Sequence, residues 1–421
     1  MRDLSPTPQL VNSATDRRRR VEDRGSSILD PARSPRGRDR RYYVSAWPGL
    51  KPEHLLARAD IAVPFPFNAV RRSYFYVARN AIYHLFRALR LARNETVLVP
   101  DYHSGNEVGA IRAAGASIRF YRITRSLQPD LEELERLCSS GARVLYLIHF
   151  LGWPQPLEEA MALARDRNMI VVEDCALSLL SQPEGRPLGS AGDYAVYCLY
   201  KTLPVPNGGL LVQNRDPLRE LDRLRLRPGG RVSVCGRVVE LMVEWIRSRH
   251  YGVGTALSLL KRSAGRFLTA AQVSRTPVGD IGFDIGRVNI GMSPLCHRLL
   301  KNFDYEWIVK RRRENFQLML RKLSGRASLL LEEFPEGVCP LFFPILVPRK
   351  REAAQALEER GINVVQFWNH GDREAARLHS PHTRFLRDHV LELPIHQDVT
   401  PEQAEYVADQ VLKLNLHVWR S

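Results

Sequence analysis

The sequence lacks several features that would place it in a special class of protein. Six cysteines occur among 421 residues, and none follows CxxC or CxH spacing, which argues against a zinc site or a disulfide framework. No apolar run approaches the roughly 18 residues that a membrane-spanning helix needs. The first ten residues, MRDLSPTPQL, have no apolar centre of the kind found in secretory signals. We therefore expect a chain of the reducing cytoplasm that holds no metal.

Acidic residues are also comparatively scarce. The chain has 46 Asp and Glu against 62 Lys and Arg, a net charge of +16, and much of the excess lies in residues 1–41. A segment rich in Ser, Pro and Arg cannot bury enough apolar surface to offset its loss of entropy on folding. We predict a basic, largely disordered N-terminal tail, residues 1–60, without a dedicated nucleic-acid site. Weak association with anionic polymers or the inner membrane surface is the alternative.

The remainder of the sequence has the pattern of an α/β protein. Continuous apolar runs, such as 96–99 and 144–150, alternate with amphipathic stretches, such as 80–92 and 157–167. Strands that are apolar throughout indicate a mostly parallel central sheet covered by helices on both faces. We predict a large α/β domain at 61–330 and a smaller C-terminal α+β domain at 331–421.

An atypical helical insertion is predicted at about 220–285, inside the large domain. From Val234 onward, apolar residues such as Leu241 and Trp245 recur on one helical face, while Arg237 and Glu244 fall on the opposite face. Basic amphipathic helices are compatible with a membrane surface. Such stripes more often pack on their own protein or on a second subunit.

Charged residues stand at the ends of two neighbouring strand-like runs. Residues 169–172 lead into Glu173 and Asp174, and residues 194–199 lead to Lys201. Ligands of parallel α/β sheets bind at the carboxyl ends of the strands. Pyridoxal chemistry needs an amine nucleophile and a carboxylate that keeps a pyridine nitrogen protonated. The pattern therefore predicts a pyridoxal 5'-phosphate site with Lys201 and Asp174 as catalytic residues.

Three further features complete this predicted site. Arg79 and Asn80 lie at the start of a helix, where backbone amides suit a phosphate, and Cys198 precedes Lys201 in CxxK spacing. The ring of His103, just beyond the strand that ends at Pro100, is placed to cover one face of the cofactor. Alone, each of these residues is commonplace, and it is their order along the chain that indicates the cofactor.

Several stretches carry a family resemblance. They are the run 171–209, VPDYHSGNEVGAIRAAGA at 99–116, HFLGWP at 149–154, VNIGM at 288–292 and ELPIHQDVT at 392–400. Through them the chain resembles the DegT/DnrJ/StrS-type sugar aminotransferases, which have the aspartate-aminotransferase-like fold, fold type I of the PLP-dependent transferases. The resemblance covers most of residues 65–414.

This resemblance implies an activity and a shared site. Lys201 would bind the cofactor covalently, Asp174 would face its pyridine nitrogen and His103 would stack on its ring. Asn289 would reach the phosphate from a neighbouring subunit, which implies a homodimer with shared active sites. The implied enzyme is a PLP-dependent aminotransferase that moves an amino group from an amino-acid donor to a keto acceptor. That acceptor would be a nucleotide-linked keto-sugar of polysaccharide or secondary-metabolite biosynthesis.

Some positions depart from the family pattern. Leu177 stands where the family has a Gln, and Ser178, which follows, is assigned to the cofactor; Cys198 replaces a serine, and Gly291 replaces an arginine. Two alternatives therefore stay open. One is a related sugar dehydratase, although such enzymes carry a histidine in place of the lysine. The other is a catalytically degenerate fold that serves as a binding module.

Overall fold

The computed structural model describes residues 42–56, 62–270, 278–279, 282–369, 371–378 and 380–414, with the side chains of 262–270 excepted. The arginine-rich part of the predicted tail, residues 1–41, lies outside the described residues. None of the helices within these ranges combines the length and apolar character that a bilayer-spanning helix requires.

The strands of the described residues form one large and one small sheet. In chain order they are β1 (Arg72–Phe75), β2 (Thr96–Pro100), β3 (Ser117–Tyr121), β4 (Ala142–Ile148), β5 (Ile170–Asp174), β6 (Tyr194–Cys198), β7 (Gly209–Gln213), β8 (Arg227–Pro228), β9 (Ile290–Gly291), β10 (Phe343–Leu346) and β11 (Val390–Leu393). The large sheet has the order β3-β2-β4-β5-β6-β7-β1-β9-β8, and β10 pairs with β11.

The helices of the described residues cover both sheets. In chain order they are α1 (Ala78–Leu89), α2 (Asn106–Ala113), α3 (Leu131–Cys138), α4 (Leu157–Asp166), α5 (Leu199–Thr202), α6 (Arg219–Asp222), α7 (Arg231–Arg249), α8 (Tyr251–Ala270), α9 (Pro294–Leu299), α10 (Tyr305–Leu323), α11 (Lys350–Glu359), α12 (Arg373–Arg377), α13 (Pro381–His389) and α14 (Pro401–Leu412).

The core of the large sheet is parallel, as its apolar strands predict. Strands β3, β2, β4, β5 and β6 run in one direction, whereas β7 is antiparallel to both β6 and β1. Strand β4 shows why: six of its seven residues, Ala142 and Val144 to Ile148, are apolar and buried. Helices pack on both faces of such strands, so the carboxyl ends of β4, β5 and β6 open at one edge.

The small sheet lies in the C-terminal part of the chain, where β10 and β11 pair in antiparallel fashion and α11 and α13 contact β11. Residues 362–365 make isolated bridges rather than a strand. Ile362 bridges to Val44, and Val365 bridges to Glu392. The strand that actually pairs with β10 is β11, whose residues Val390–Leu393 are all buried.

Residues 42–50 lie inside the packed structure although they fall within the predicted 1–60 tail. The Val44 N–H donates to the Gly361 carbonyl at 2.8 Å, and the Leu50 N–H donates to the Leu241 carbonyl at 3.1 Å. This segment therefore joins the C-terminal part of the chain to α7. The domain boundaries at 60 and 330 stay predictions.

The predicted helical insertion consists of α7 and α8, which pack against each other. On α7, Glu244 accepts a hydrogen bond of 2.7 Å from the Tyr43 hydroxyl, and the Arg247 guanidinium lies 4.1 Å from the centre of the Tyr43 ring. The packed side of α7 thus lies on this protein itself, and it includes Glu244 and Arg247 beside Leu241. Glu244 therefore does not lie on the face opposite to Leu241, where the sequence pattern placed it.

Candidate active site

A cleft opens at the carboxyl ends of β4, β5 and β6, with about 490 Å³ of empty space. The starts of α1, α2 and α5 border it. Its lining brings together residues from six separate parts of the chain, which are Ala78, Arg79, Ile82, Ser104, Asn106, Glu107, Ile148, Asp174, Ala176, Leu177, Cys198, Tyr200, Lys201 and Trp368. Four of the predicted site residues, Arg79, Asp174, Cys198 and Lys201, therefore share this one cleft.

Asp174 ends β5 and is buried in the cleft wall. Its Oδ1 accepts the Ala176 N–H at 2.9 Å, and its Oδ2 accepts the Tyr146 hydroxyl at 2.6 Å. Burial and then the nearby charge of Glu107 raise the pKa of Asp174 to about 6. Lys201 acts in the opposite direction. A cationic ring nitrogen placed beside Asp174 would further favour its ionised form.

Lys201 lies in the short helix α5, directly after β6. The carbonyl of the next residue, Thr202, accepts hydrogen bonds of 3.1 Å from both Arg312 and Gln397. Arg312 is 1% exposed and also donates to the Leu341 carbonyl at 3.0 Å. The lysine-bearing turn is therefore anchored to α10 and to the C-terminal part of the chain, so that its position in the cleft is set by buried contacts.

Two adjacent glycines allow α5 and α1 to come together. Gly208 has a φ of +151°, and its N–H donates to the Tyr76 carbonyl at 2.8 Å. A Cβ at Gly209 would collide with the backbone of Val77, the residue before α1. The Asn-Gly-Gly turn after Lys201 is thus required for the close approach of the lysine turn to the start of α1.

The start of α1 offers backbone groups, while its side chains are already engaged. The Arg79 guanidinium donates to the Gly279 carbonyl at 2.7 Å, and the Asn80 amide donates to the Arg287 carbonyl at 3.0 Å. Val77 precedes the helix and provides no side-chain cap. Ala78 and Arg79 line the cleft, so the helix start borders it, as a phosphate site would require.

Four predicted residues, Asn80, His103, Ser178 and Asn289, are not among the described residues that line this cleft. His103 is fully buried with its ring stacked on Phe120 at 5.5 Å, and burial lowers its pKa to about 3. Ser178 is buried beside Cys175, whose carbonyl accepts its N–H at 3.1 Å. Asn289 is exposed and directly precedes β9. The His103 ring packs against Phe120, and its role as ring stacker stays a prediction.

Sequence reasoning missed several cleft residues. Ser104, rather than His103, reaches the cleft, and its N–H and hydroxyl donate to the two oxygens of Glu107 at 2.8 and 2.5 Å. Ser104 and Glu107 form an S-x-x-E pattern, the signature of a helix start, and that signal was available in the sequence. No sequence pattern placed Trp368 in the cleft, since it lies more than 160 residues from Lys201 along the chain.

The donor set of the cleft fits pyridoxal phosphate. It combines a buried carboxylate with an amine at the ends of adjacent strands, and a helix start lies beside them. These are the groups that hold a pyridine nitrogen, an aldehyde and a phosphate. The individual site residues stay predictions.

Comparisons with known proteins agree with this chemistry. The model of the DegT/DnrJ/EryC1/StrS aminotransferase family matches residues 78–259. GDP-perosamine synthase of Escherichia coli O157:H7 is 28% identical over 302 residues, which are 68% of this chain and 78% of that enzyme. The dTDP-4-dehydro-2,3,6-trideoxy-D-glucose 4-aminotransferase of Saccharopolyspora spinosa is 24% identical over 393 residues, 89% of this chain and 92% of that enzyme.

A solved structure shares the fold. It is PseC of Helicobacter pylori, an aminotransferase involved in the biosynthesis of pseudoaminic acid. It superposes with a TM-score of 0.65 at 14% sequence identity, over 89% of this chain and 99% of that one. The predicted fold, type I of the PLP-dependent transferases, is confirmed.

Proposed function

We propose that this chain, whose residues 78–259 match the model of the DegT/DnrJ/EryC1/StrS aminotransferase family, moves an amino group from an amino-acid donor to a nucleotide-linked keto-sugar. The observation that carries this proposal is the shared cleft of Lys201 and Asp174 at the ends of β6 and β5. The family uses pyridoxal phosphate. The sugar class is supported by the relatives, whose names describe enzymes of GDP- and dTDP-linked sugars.

The roles of the cleft residues follow from their chemistry. When bound, pyridoxal phosphate supplies an electrophilic aldehyde and a ring that accepts electrons. Lys201 would hold it through its Nζ and move a proton at the reacting substrate carbon. Asp174 would keep the ring nitrogen protonated, and Tyr146 would hold the Asp174 carboxylate in place through its 2.6 Å hydrogen bond. The amides at the start of α1 would bind the phosphate.

A homodimer belongs to the same proposal. Asn289 is exposed and is not part of the cleft described above, so a role at a phosphate requires a second copy of the chain. Mixing an inactive Lys201→Ala chain with an inactive Asn289→Ala chain should restore part of the activity, since hybrid dimers would contain one intact site. Absence of any recovery in a mixture shown to exchange subunits would contradict shared sites.

A cytoplasmic location is also proposed. All six cysteines are free, and five of them are buried, which suits a reducing compartment. We also propose a weak association of the basic tail, or of α7 and α8, with anionic surfaces. Cosedimentation with anionic vesicles would test it.

Spectroscopy of the purified protein tests the main proposal. With pyridoxal phosphate added, we expect a yellow protein whose chromophore becomes fixed to the chain on borohydride reduction. Lys201→Ala should abolish the fixation and reduce turnover by about 10²- to 10⁴-fold, while the exposed Lys301→Ala serves as the matched control. A colourless wild-type protein that ignores the cofactor would contradict the enzyme and favour a binding module. Amino donors should convert the chromophore to the pyridoxamine form.

A further inference from the structure

A separate cavity borders the turn that carries Lys201. It has about 660 Å³ of empty space and shares no lining residue with the cleft. Pro204, three residues after Lys201, lines it, and so does Gln397, whose side-chain amide donates to the Thr202 carbonyl at 3.1 Å. Typical ligand pockets enclose about 300–1,000 Å³. The cavity therefore has the size of a small-molecule site and is built against the lysine-bearing turn.

A buried carboxylate with an unsatisfied oxygen lines this cavity. Asp398 is 7% exposed, and its Oδ2 accepts the Gly49 N–H at 2.9 Å, whereas its Oδ1 has no hydrogen-bond partner within the described residues. Burial raises the pKa of Asp398, and Lys51, followed by the Gly49 N–H and the charges of Arg249 and Arg312, acts in the opposite direction. A buried carboxylate oxygen without a donor is costly. Asp398 therefore favours a ligand that brings an N–H group.

The ammonium group of Lys51 is the second charged end of the cavity. Its Nζ lies 3.6 Å from Glu53 Oε1 and 3.7 Å from Asp398 Oδ1, distances that are too long for hydrogen bonds. The same Nζ lies 4.7 Å from the centre of the Trp307 ring. Across the ranges that the structure describes, we find no hydrogen bond of this Nζ. An ammonium group has three N–H donors, so Lys51 is able to bind a carboxylate of a ligand.

The rest of the lining supplies negative charge and aromatic surface. Three carboxylates line the cavity, those of Glu53, Asp304 and Asp398, whereas Lys51 is the single lysine in its lining. Two aromatic rings, those of Trp307 and Phe303, line it as well. Aromatic faces attract ammonium and guanidinium groups. The cavity thus suits a zwitterion that carries one additional positive charge.

We propose that this cavity binds a free α-amino acid with a basic side chain, at a site distinct from the catalytic cleft. The ammonium group of the ligand donates to Asp398 Oδ1, and its carboxylate accepts from Lys51. Its side-chain cation lies against the Trp307 ring, near the carboxylates of Glu53 and Asp304. The site is independent of the proposed function, since no residue of the cleft lines it.

Calorimetry with three probes tests this site. L-Arginine carries all three charged groups, N-acetyl-L-arginine lacks the ammonium group, and agmatine lacks the carboxylate. The protein is first treated with pyridoxal phosphate and borohydride, so that no amine reacts with a bound cofactor. We expect L-arginine to bind, and each of the other probes to bind about 10- to 100-fold more weakly, because one charged contact is lost. Equal affinities of the three probes, or no binding of L-arginine, would overturn the proposal.

Two variants assign the binding to this cavity. Asp398→Asn keeps the size of the side chain and an oxygen for the Gly49 N–H, and it should bind L-arginine about 10- to 100-fold more weakly. Lys51→Met should do the same and should bring L-arginine and agmatine to similar affinities. Asp166→Asn and Lys301→Met, which change exposed residues outside the cavity, are the matched controls and should bind as the wild type does.

The outcomes are separable from those of the proposed function. A protein that forms no chromophore but binds L-arginine through Asp398 contradicts the enzyme and supports this site. Wild-type affinity for L-arginine in both Asp398→Asn and Lys51→Met would show that the amino acid binds elsewhere. Thermal unfolding would confirm that the variants are folded, and the comparison of probes on the wild type stays decisive if either variant fails to fold.

Discussion

Two adjacent carboxylates at the end of β5 have opposite environments. Glu173 accepts hydrogen bonds from His149 at 2.9 Å and from the backbone amides of Gly189, Ala191 and Gly192. The Asp174 carboxylate accepts hydrogen bonds from the Tyr146 hydroxyl and from the Ala176 N–H just after the strand, and it lines the cleft. Neighbouring residues of a strand point to opposite faces, so one carboxylate faces the framework and the other faces the site.

The pKa values follow from these environments. Burial alone would raise the pKa of Glu173, but the hydrogen bond and charge of His149, together with the amide donors, lower it. For Asp174, burial and the charge of Glu107 prevail and raise the pKa to about 6. The strand end thus combines a carboxylate that stabilises the fold with one that is poorly stabilised until a cation lies beside it. The potential ligand atoms of His149, Glu173 and Cys175 lie within 4.8 Å of one another, a spacing that a metal ion could bridge. The Glu173 carboxylate, however, already accepts hydrogen bonds from His149 and from three backbone amides.

The largest effect should follow from removal of the framework carboxylate. Glu173→Ala leaves His149 and three buried amides without their acceptor, so we expect a loss of about 3–5 kcal/mol in the free energy of unfolding. Chemical denaturation of the cofactor-free protein measures this loss. Glu135→Ala, which breaks a surface pair with Arg167, is the control and should cost at most about 1 kcal/mol. Equal losses in both variants would show that the Glu173 network does not stabilise the fold.

Removal of the cleft carboxylate should lower turnover. Asp174→Asn keeps the size of the side chain but cannot hold a cationic ring nitrogen, so we expect turnover to fall by about 10²- to 10³-fold with cofactor binding largely intact. Steady-state kinetics and cofactor absorbance measure the two quantities. Asp216→Asn, an exposed acid outside the cleft, should behave as wild type. Retained turnover in Asp174→Asn would remove Asp174 from the mechanism.

The sequence predicted the central part of this site because parallel strands bring their carboxyl ends to one edge. The apolar runs of β5 and β6 could be recognised as buried strands, and a charged residue that follows such a strand lies at that edge of the sheet. The placement of His103 is less determined, because it lies in a loop, where sequence spacing does not determine which side chain faces the cleft. Tyr146 was not predicted, because a tyrosine within an apolar strand resembles any other core residue.

Contacts between distant parts of the chain were beyond sequence reasoning. The bridge of Val44 with Ile362 joins residues more than 300 positions apart, and neither residue carries a pattern that names its partner. The same applies to Arg312, which is buried against the carbonyl of Thr202. Its neighbours in the sequence form a basic run, which normally indicates a solvated face.

The pH dependence of stability should have opposite signs for the two carboxylates. The folded pKa of Asp174 lies above its usual value, so its ionisation destabilises the cofactor-free protein as pH rises from about 4 to 6. Asp174→Asn should therefore gain stability over the wild type across this range, by up to about 3 kcal/mol. The lowered pKa of Glu173 has the reverse effect: its stabilisation is present at neutral pH and is lost in acid. Denaturation between pH 4 and 7 would measure both differences, and parallel curves for wild type and Asp174→Asn would contradict the first.

Tyr146 distinguishes the two carboxylates, because its hydroxyl donates to Asp174 and not to Glu173. Tyr146→Phe removes the 2.6 Å hydrogen bond to Asp174, which favours the ionised form, so the pKa of Asp174 should rise further. We expect kcat/KM to fall about 10-fold, with the acidic limb of its pH profile moved upward. The matched control is Tyr121→Phe, since the Tyr121 hydroxyl is equally buried and donates to the Tyr146 carbonyl at 3.0 Å. That variant loses a hydroxyl without touching Asp174, and its pH profile should stay unchanged. If both variants shift the profile alike, general loosening of β4 is the cause, and Tyr146 does not position the catalytic carboxylate.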